Sequence, residues 1–293
     1  MKIYKIENDK FIVKVKEFGA ELTSMFSKEF NREYIWQGDD TFPRQACNLF
    51  PNCGAIVGNE IKIDGKVYPA KQHGFARDNN FELAENTDTF LSLVLKPNDA
   101  TKKVYPYDFE FYINFELVGD KLKQTYKVVN KNNVEMQFGV GAHTGFKLPI
   151  VEGEEASDYS LDFGKNKLNY LPTQQGTPYM LGSKEPFKAR CGKYPLNDET
   201  FANGSFILDG FTDRQIKLFS KKSKNYVLVE FADFANCVIW CKEGKLKYIC
   251  IEPWNGLPDL YNSNQDFTKK VGNIVLKAGE TFACDQYFSV GKE

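Results

Sequence analysis

The chain of 293 residues carries a formal net charge of -1, which argues against the extended basic surface of a nucleic-acid-binding protein. No stretch approaches the roughly 18 consecutive apolar residues of a membrane-spanning helix. The N-terminal residues also lack the continuous apolar run of a signal peptide. The seven cysteines, an odd count in a chain without export signals, favour reduced thiols. The sequence therefore predicts a cytoplasmic protein that binds neither nucleic acid nor membranes.

Aromatic side chains are unusually frequent, since 25 Phe, 15 Tyr and 3 Trp make up 15% of the chain. Aromatic and β-branched residues suit half-buried pleated surfaces, so this composition favours β structure. The length permits one large domain or two small ones, because all-β units can exceed roughly 200 residues. No repeat, low-complexity tract or flexible linker divides the chain, so we expect one domain over residues 1–293.

Strand-like runs bounded by turn residues fill the first half of the chain. Apolar side chains alternate strictly along one of them, residues 109–118, which is the period-two signature of a strand with one buried face. Two hairpins are predicted, with turns at Asp64-Gly65 and Gly119-Asp120. The predicted strand and hairpin segments are 11–15, 60–68, 90–95, 109–118 and 122–129.

The second half continues in the same way, without a long amphipathic helix. Segment 248–251 is almost continuously apolar, which indicates a strand buried on both faces. Runs 226–231 and 238–240 are expected to pair with each other. Other short runs flank Asp209-Gly210 or close the chain around a turn at 278–280; they are 205–208, 215–219, 274–276 and 287–290. The pattern as a whole predicts an all-β protein built from antiparallel strands.

Segment 151–200 is the least regular part of the chain, and its acidic cluster is interpreted as a solvated loop. The cluster Glu152, Glu154, Glu155 and Asp158 lacks the spaced ligands and bidentate glutamate of a calcium loop. Cysteine pairs lie four or six positions apart and the two histidines lie 70 apart, which does not match a zinc knuckle. We therefore expect no metal site and interpret most cysteines as small buried apolar residues.

Each of the two histidines is followed closely by a Gly-Phe pair: His73 by Gly74-Phe75, and His143 by Gly145-Phe146. Histidine both gives and takes a proton near neutral pH. Such Gly-rich and aromatic settings therefore favour an acid–base role. Hydrogen-bonded structural histidines would explain the same residues equally well.

Glu252 directly follows the apolar run 248–251 and precedes Pro253, so we expect it to project where a strand passes into a loop. A carboxylate beside a tryptophan in a partly apolar setting can have its pKa raised towards the range of a useful base. Trp254 offers a flat apolar face of the kind that stacks on sugar rings. A turn-capping role for Glu252 and core packing for Trp254 are the structural alternatives.

Four segments together resemble the aldose 1-epimerase (galactose mutarotase-like) superfamily, most closely its LacX-type branch. They are Arg44-Gln45-Ala46-Cys47-Asn48-Leu49-Phe50-Pro51, His73-Gly74-Phe75-Ala76-Arg77-Asp78, Gly141-Ala142-His143 and Ile251-Glu252-Pro253-Trp254. The resemblance implies a large twisted antiparallel β-sandwich that binds sugar in a cleft on one sheet. It also implies interconversion of the α and β anomers of an aldose without a cofactor.

The same resemblance implies roles for single residues. Glu252 matches the general base that takes the proton of the C1 hydroxyl, and His143 matches the general acid that protonates the ring oxygen. His73 matches a histidine that hydrogen-bonds the substrate. Asp209 is a candidate sugar-binding aspartate, although a turn aspartate explains it as well.

Two positions depart from the family pattern. Ala55 stands where LacX-type sequences usually carry a substrate-binding arginine, and Arg44 or Arg77 is a candidate replacement cation. Thr144 stands where a proline commonly follows the acid histidine, which we expect to change loop stiffness more than chemistry.

The leading hypothesis is therefore a cofactor-free mutarotase acting on a free aldose. A mutarotase for hexose 6-phosphates is the alternative that Arg44 and Arg77 favour, because guanidinium groups suit phosphate. Ala55 favours a non-catalytic sugar-binding protein on the same fold. A glycoside hydrolase is disfavoured, because such enzymes usually need two facing carboxylates and Glu252 is the single candidate.

Overall fold

The computed structural model describes residues 1–244 and 246–293, and almost all of its regular structure is β-strand. In chain order the strands are β1 (Ile3–Glu7), β2 (Phe11–Lys16), β3 (Glu21–Ser27), β4 (Arg32–Glu33), β5 (Ala46–Leu49), β6 (Glu60–Ile63), β7 (Lys66–Pro69), β8 (Glu82–Asn86), β9 (Phe90–Leu95), β10 (Phe109–Val118), β11 (Lys121–Asn130), β12 (Met136–Phe138), β13 (Val140–Lys147), β14 (Tyr159–Asp162), β15 (Asn169–Tyr170), β16 (Glu185–Pro186), β17 (Lys193–Pro195), β18 (Phe206–Asp209), β19 (Gln215–Ser220), β20 (Asn225–Glu230), β21 (Asn236–Trp240), β22 (Tyr248–Asn255), β23 (Ile274–Leu276) and β24 (Thr281–Lys292).

Helical structure within the described ranges is limited to single turns. The α-helix α1 spans Asp99–Lys102, and 3-10 turns lie at Val57–Asn59, Ala76–Asp78, Ala156–Asp158 and Phe267–Lys269. None of the helices in residues 1–244 and 246–293 has the length and apolar character to cross a membrane.

Two large antiparallel sheets form the body of the fold. The nine-stranded sheet has the order β17-β14-β19-β20-β24-β11-β10-β9-β8, and the seven-stranded sheet has the order β16-β15-β18-β21-β22-β13-β5. A hydrophobic core lies between them, where the rings of Phe146 in β13 and Phe288 in β24 have centroids 5.7 Å apart. This is the β-sandwich that the sequence and the family resemblance predicted.

Strands β10 and β22 show how the sequence pattern sets burial. The alternating strand β10 buries every second residue, and it forms the predicted hairpin with β11. Strand β22 is buried at every position, which confirms its predicted burial on both faces. Ile249 and Ile251 belong to the core cluster. Because side chains alternate along a strand, Glu252 and Trp254 point to the other face of the sheet.

The predicted pairing of 226–231 with 238–240 is wrong, although both strands exist. Strand β20 pairs with β19 and β24, whereas β21 pairs with β18 and β22 in the other sheet. The chain crosses between the sheets at Phe231 and Phe234, which are both buried in the core. The strands around the turn at 278–280 also separate, since β23 pairs with β12 and β24 pairs with β11 and β20. Hydrophobic periodicity predicts strands but does not encode their partners.

Segment 151–200 contains more structure than its sequence indicated. Strand β14 joins the nine-stranded sheet beside β19, and β15 joins the seven-stranded sheet beside β18. Glu154, which was expected in a solvated loop, is buried and accepts hydrogen bonds from the hydroxyls of Tyr159 and Ser220. Those two hydroxyls satisfy the carboxylate and so make its burial tolerable.

Candidate active site

A cavity of about 900 Å³ lies on the face of the seven-stranded sheet that points away from the core. Side chains of β13, β15, β18, β21 and β22 line it, and residues of the connecting loops complete its walls. The sequence-predicted residues His73, Arg77, His143, Glu252 and Trp254 all line this cavity.

His143 and Glu252 face each other across two neighbouring strands rather than at strand ends as expected. The register, which pairs Thr144 with Ile251, places His143 opposite Glu252. Strand β22 does not end at Glu252 but continues through Pro253. Pro253 has no N–H to donate, and the ladder between β13 and β22 is interrupted at this point.

The two side chains are close, buried and unsatisfied. His143 Nε2 lies 3.5 Å from Glu252 Oε1, and the residues are 7% and 1% exposed. Glu252 Oε1 and His143 Nδ1 have no hydrogen-bond partner among the described residues. Buried polar atoms without partners cost free energy, so this arrangement is typical of a site that a polar ligand completes.

Burial moves the pKa values of the two groups in opposite directions. It raises the pKa of Glu252 well above its usual 4.5, with the positive charge of Arg77 opposing the change. Burial, reinforced by Arg77, lowers the pKa of His143 to about 3. Burial therefore favours the uncharged form of each group, a protonated carboxyl group for Glu252 and a neutral imidazole for His143.

His73 is held as a hydrogen-bond donor towards the cavity. Its Nδ1 accepts from the backbone N–H of Gly54 at 3.1 Å, so the neutral ring carries its proton on Nε2. Burial, together with His143 and Arg77, lowers the pKa of His73 well below 6.5 and keeps the ring neutral. Nε2 lies 3.2 Å from the side-chain amide nitrogen of Gln72, which also lines the cavity.

Aromatic rings surround the acid–base pair. The ring of Phe42 stacks on His143 with centroids 5.3 Å apart, and Trp240 contacts the same imidazole edge-on at 5.5 Å. Trp254 is almost fully buried; its indole N–H donates to the carbonyl of Ala142 at 2.9 Å, and its ring lies 5.5 Å from His73. Trp254 therefore supports His73 as much as it lines the cavity, and the more exposed Trp240 and Phe42 offer better stacking surfaces.

The two candidate arginines differ in their position relative to the cavity. Arg77 lines the cavity and donates from Nη2 to the carbonyl of Gln72 at 3.2 Å. Its Nε has no hydrogen-bond partner among the described residues and lies 4.0 Å from the carboxylate of Asp78. Arg44 does not line the cavity, because Nη2 binds Glu21 at 2.8 Å and the carbonyl of Arg77 at 2.7 Å. Arg44 thus supports the loop that carries Arg77, and Arg77 is the cation that faces the site.

Asp209 also lies outside the cavity lining. At the end of β18 its carboxylate accepts from Asn169 at 2.8 Å and pairs with Lys184 at 2.6 Å. These contacts agree with the turn-aspartate interpretation. Ala55, in contrast, is part of the cavity wall, so the position where LacX-type sequences usually carry an arginine faces the site.

Several cavity residues were not found by sequence reasoning. Gln72 is adjacent to a singled-out motif, and that adjacency was a usable signal. The others carried no such signal, because they lie in irregular segments or between motifs; they are Phe42, Gly54, Tyr170, Thr173, Gln174, Gln175, Gly176, Thr177, Pro178, Ala202, Asn203, Gly204, Ser205, Ile207, Val238, Trp240 and Pro258.

Gly74 permits the turn that presents His73. Its φ is +70°, and a Cβ added there would lie 2.1 Å from the carbonyl oxygen of Phe50. Gly74→Ala is therefore expected to lower the free energy of unfolding by at least about 2 kcal/mol, since the left-handed conformation alone costs an L-residue about 1–2 kcal/mol. Urea unfolding measures this. The control Gly65→Ala has a φ of +76° with no atom within 4 Å of the added Cβ, and equal losses in both variants would contradict the steric argument.

Known proteins match this chain over nearly its full length. The family model described as aldose 1-epimerase matches residues 2–283. The chain belongs to the aldose 1-epimerase family. It is similar to the plasmid-encoded protein LacX of Lactococcus lactis subsp. lactis, with 31% identity over 261 residues that cover 86% of this chain and 87% of LacX.

Solved structures agree with this family membership. A galactose mutarotase related enzyme from Lactobacillus acidophilus superimposes with a TM-score of 0.94 at 31% identity, covering 99% of this chain and 98% of that one. A galactose mutarotase-like protein from Lactobacillus casei ATCC 334 gives 0.92 at 29% identity, covering 99% and 100%. The fold of this family member is thus the galactose mutarotase-like β-sandwich.

Proposed function

We propose that this aldose 1-epimerase family member interconverts the α and β anomers of an aldose by acid–base ring opening and reclosure, without a cofactor. The observation that supports this most directly is the buried pair of His143 and Glu252, 3.5 Å apart in a large cavity. The sugar oxygens O1 and O5 are both bonded to C1. Two groups that exchange protons with these oxygens can therefore lie close together, as these two do.

In the forward step, Glu252 as carboxylate takes the proton of the O1 hydroxyl while protonated His143 donates a proton to O5. The C1–O5 bond breaks with its electron pair moving to O5, and C1 and O1 form the aldehyde. Rotation about C1–C2 presents the other face of the aldehyde, and the reversed proton transfers close the ring. General acid and base groups of this kind each contribute on the order of 10²–10⁴-fold.

The pair has the correct number of protons for this step. Before a sugar binds, burial favours a proton on Glu252, because it raises the pKa of that carboxyl group and lowers the pKa of His143. Transfer of this proton to His143 Nε2 across 3.5 Å generates the carboxylate and imidazolium that ring opening uses. Bound sugar hydroxyls favour this charged form by supplying the hydrogen bonds that Glu252 Oε1 lacks.

The remaining cavity groups bind and orient the sugar. His73 Nε2 donates to a sugar oxygen, Arg77 supplies a cation beside the open space at Ala55, and Trp240 stacks on an apolar face of the ring. The chain acts as one domain, which is supported by a core cluster that contains residues of both large sheets. A cytoplasmic location is supported by its seven free cysteines, six of which are buried.

Polarimetry and NMR test the proposed activity on a panel of freshly dissolved α-aldoses. We expect the purified protein to accelerate equilibration of at least one sugar, with the rate proportional to protein concentration. Heat-denatured protein serves as the control. A rate equal to the spontaneous one for every sugar contradicts the proposal. Sugar binding without acceleration identifies the non-catalytic sugar-binding protein that Ala55 favoured.

A hexose 6-phosphate is the second candidate substrate, and Arg77 is the observation that favours it. Its guanidinium lines the cavity and has an Nε without a hydrogen-bond partner among the described residues, and guanidinium groups suit phosphate oxygens. Comparison of glucose with glucose 6-phosphate in the same assay separates the two substrates. Faster turnover of glucose with no acceleration of the phosphate ester excludes this alternative.

A further inference from the structure

A third polar side chain lies beside the acid–base pair. The ligand atoms of His143, Cys250 and Glu252 all lie within 4.8 Å of one another, and all three residues are buried. Cys250 and Glu252 are two positions apart on β22 and therefore share one face of the sheet. The residue opposite Cys250 on β13 is Gly145, which has no side chain to separate the thiol from His143.

This donor set matches the preferences of zinc. Zn²⁺ binds cysteine sulfur at about 2.3 Å and histidine nitrogen or carboxylate oxygen at about 2.0–2.2 Å, in tetrahedral geometry. Ligand atoms around such an ion are therefore about 3.3–3.8 Å apart. The 3.5 Å between His143 Nε2 and Glu252 Oε1 already falls in this range. The Cys250 sulfur lies no more than 4.8 Å from either atom, so a shift of at most about 1.5 Å would bring it to the distance that a shared ion requires.

Two further observations support a ligand at this point. Glu252 is 1% exposed and its Oε1 has no hydrogen-bond partner among the described residues. A carboxylate, a thiolate and a neutral imidazole also supply two negative charges, which balance a divalent cation in a buried setting. Arg77 is the cation nearby that opposes the binding, since its positive charge reaches both His143 and Glu252.

We propose that His143, Cys250 and Glu252 form a binding site for a thiophilic divalent cation such as Zn²⁺, with the fourth ligand position open to the cavity. Binding displaces the protons of the Cys250 thiol and the Glu252 carboxyl group to solvent. Both acid–base groups then become metal ligands and can no longer exchange protons with a sugar. The ion is accordingly an inhibitor of the proposed reaction. The inhibition rests on the proposed function, whereas the binding does not.

Titration of the metal-free protein with Co²⁺ tests the binding by itself. We expect a thiolate-to-cobalt charge-transfer band in the near ultraviolet that saturates at one ion per chain and disappears when Zn²⁺ is added. Cys250→Ala and Cys250→Ser are expected to abolish the band. Cys284→Ala, which removes a buried thiol from β24 in the other sheet, is expected to retain it. The absence of a band in the parent protein, or its persistence in both Cys250 variants, overturns the proposal.

Inhibition is measured by polarimetry against the metal-free rate of each variant. The Zn²⁺ concentration for half inhibition is expected to rise at least about 10-fold in Cys250→Ala, since the loss even of groups that support a ligand costs 10–100-fold in affinity. Cys284→Ala is expected to match the parent. Equal inhibition of parent and Cys250→Ala overturns the inhibitory role. A cobalt band in a protein without sugar turnover leaves the metal site intact and contradicts the proposed function instead.

Discussion

Glu252→Gln is expected to lower the rate of anomerisation by about 10²–10⁴-fold, because the amide removes one of the two proposed proton-transfer groups. The loss should appear in kcat with little change in KM, since an amide of nearly equal size still fills the site. Polarimetry on the best sugar of the panel measures both constants. A rate within about 10-fold of the parent would show that another group serves as the base.

His143→Asn is the matched variant for this test. In the proposed mechanism the two groups act as one unit, so the double variant should be little slower than either single variant. Additive losses would show that His143 and Glu252 act in separate steps.

Stability provides a second measurement on Glu252→Gln in chelator-treated protein. Burial raises the native pKa of Glu252 above 4.5, so above pH 4.5 the unfolded chain loses a proton that the native state retains. The free energy of unfolding of the parent therefore falls as the pH rises from 4.5 towards the raised pKa. Glutamine removes this penalty, and its stability relative to the parent should increase by about 1.4 kcal/mol per pH unit in that window. A difference that does not change with pH contradicts the assigned burial effect.

The sequence predicted those parts of the fold that depend on local pattern. Strict alternation predicted β10, turn residues predicted its hairpin with β11, and a continuous apolar run predicted the burial of β22. Family motifs selected His73, Arg77, His143, Glu252 and Trp254, which the fold brings to one cavity. Such motifs succeed because each one fixes the local backbone, as the glycine after His73 does.

The sequence could not predict which residues become neighbours across adjacent strands. The spacing of cysteines and histidines along the chain does not reveal that the antiparallel register brings Cys250 near His143, more than a hundred residues away, and the proposed metal site depends on that register. Arg44 was predicted to bind the sugar because the sequence around it does not reveal its ion pair with Glu21. Burial of the Glu21 carboxylate depends on long-range packing, and local pattern does not contain that information.

Glu21→Gln is expected to lower the free energy of unfolding by about 3–5 kcal/mol, the usual cost of breaking a buried ion pair. The Glu21 side chain is fully buried and lies 2.8 Å from both Lys16 Nζ and Arg44 Nη2. It also accepts from the backbone N–H groups of Gln45 and Ala46, at the start of β5 beside β13. An amide removes the negative charge from both ion pairs, and Arg44 then keeps its longer pair with Asp78 at 3.3 Å. Thermal and urea unfolding measure the loss, and a loss below about 1 kcal/mol would contradict this role.

The stability change caused by Glu21→Gln varies with pH in the opposite direction to the stability change caused by Glu252→Gln. Burial alone raises the pKa of Glu21, but Arg44 and Lys16 more than offset it and hold the pKa below 4.5. The stabilisation is therefore complete above pH 4.5 and disappears as the pH falls through the lowered native value. The deficit of Glu21→Gln should shrink on acidification, whereas the advantage of Glu252→Gln should grow on alkalinisation. The two buried carboxylates thus differ through their neighbours. Arg44 and Lys16 favour the charged form of Glu21 and make it a structural ion-pair residue, whereas burial favours the protonated form of Glu252, from which the proposed proton transfer starts.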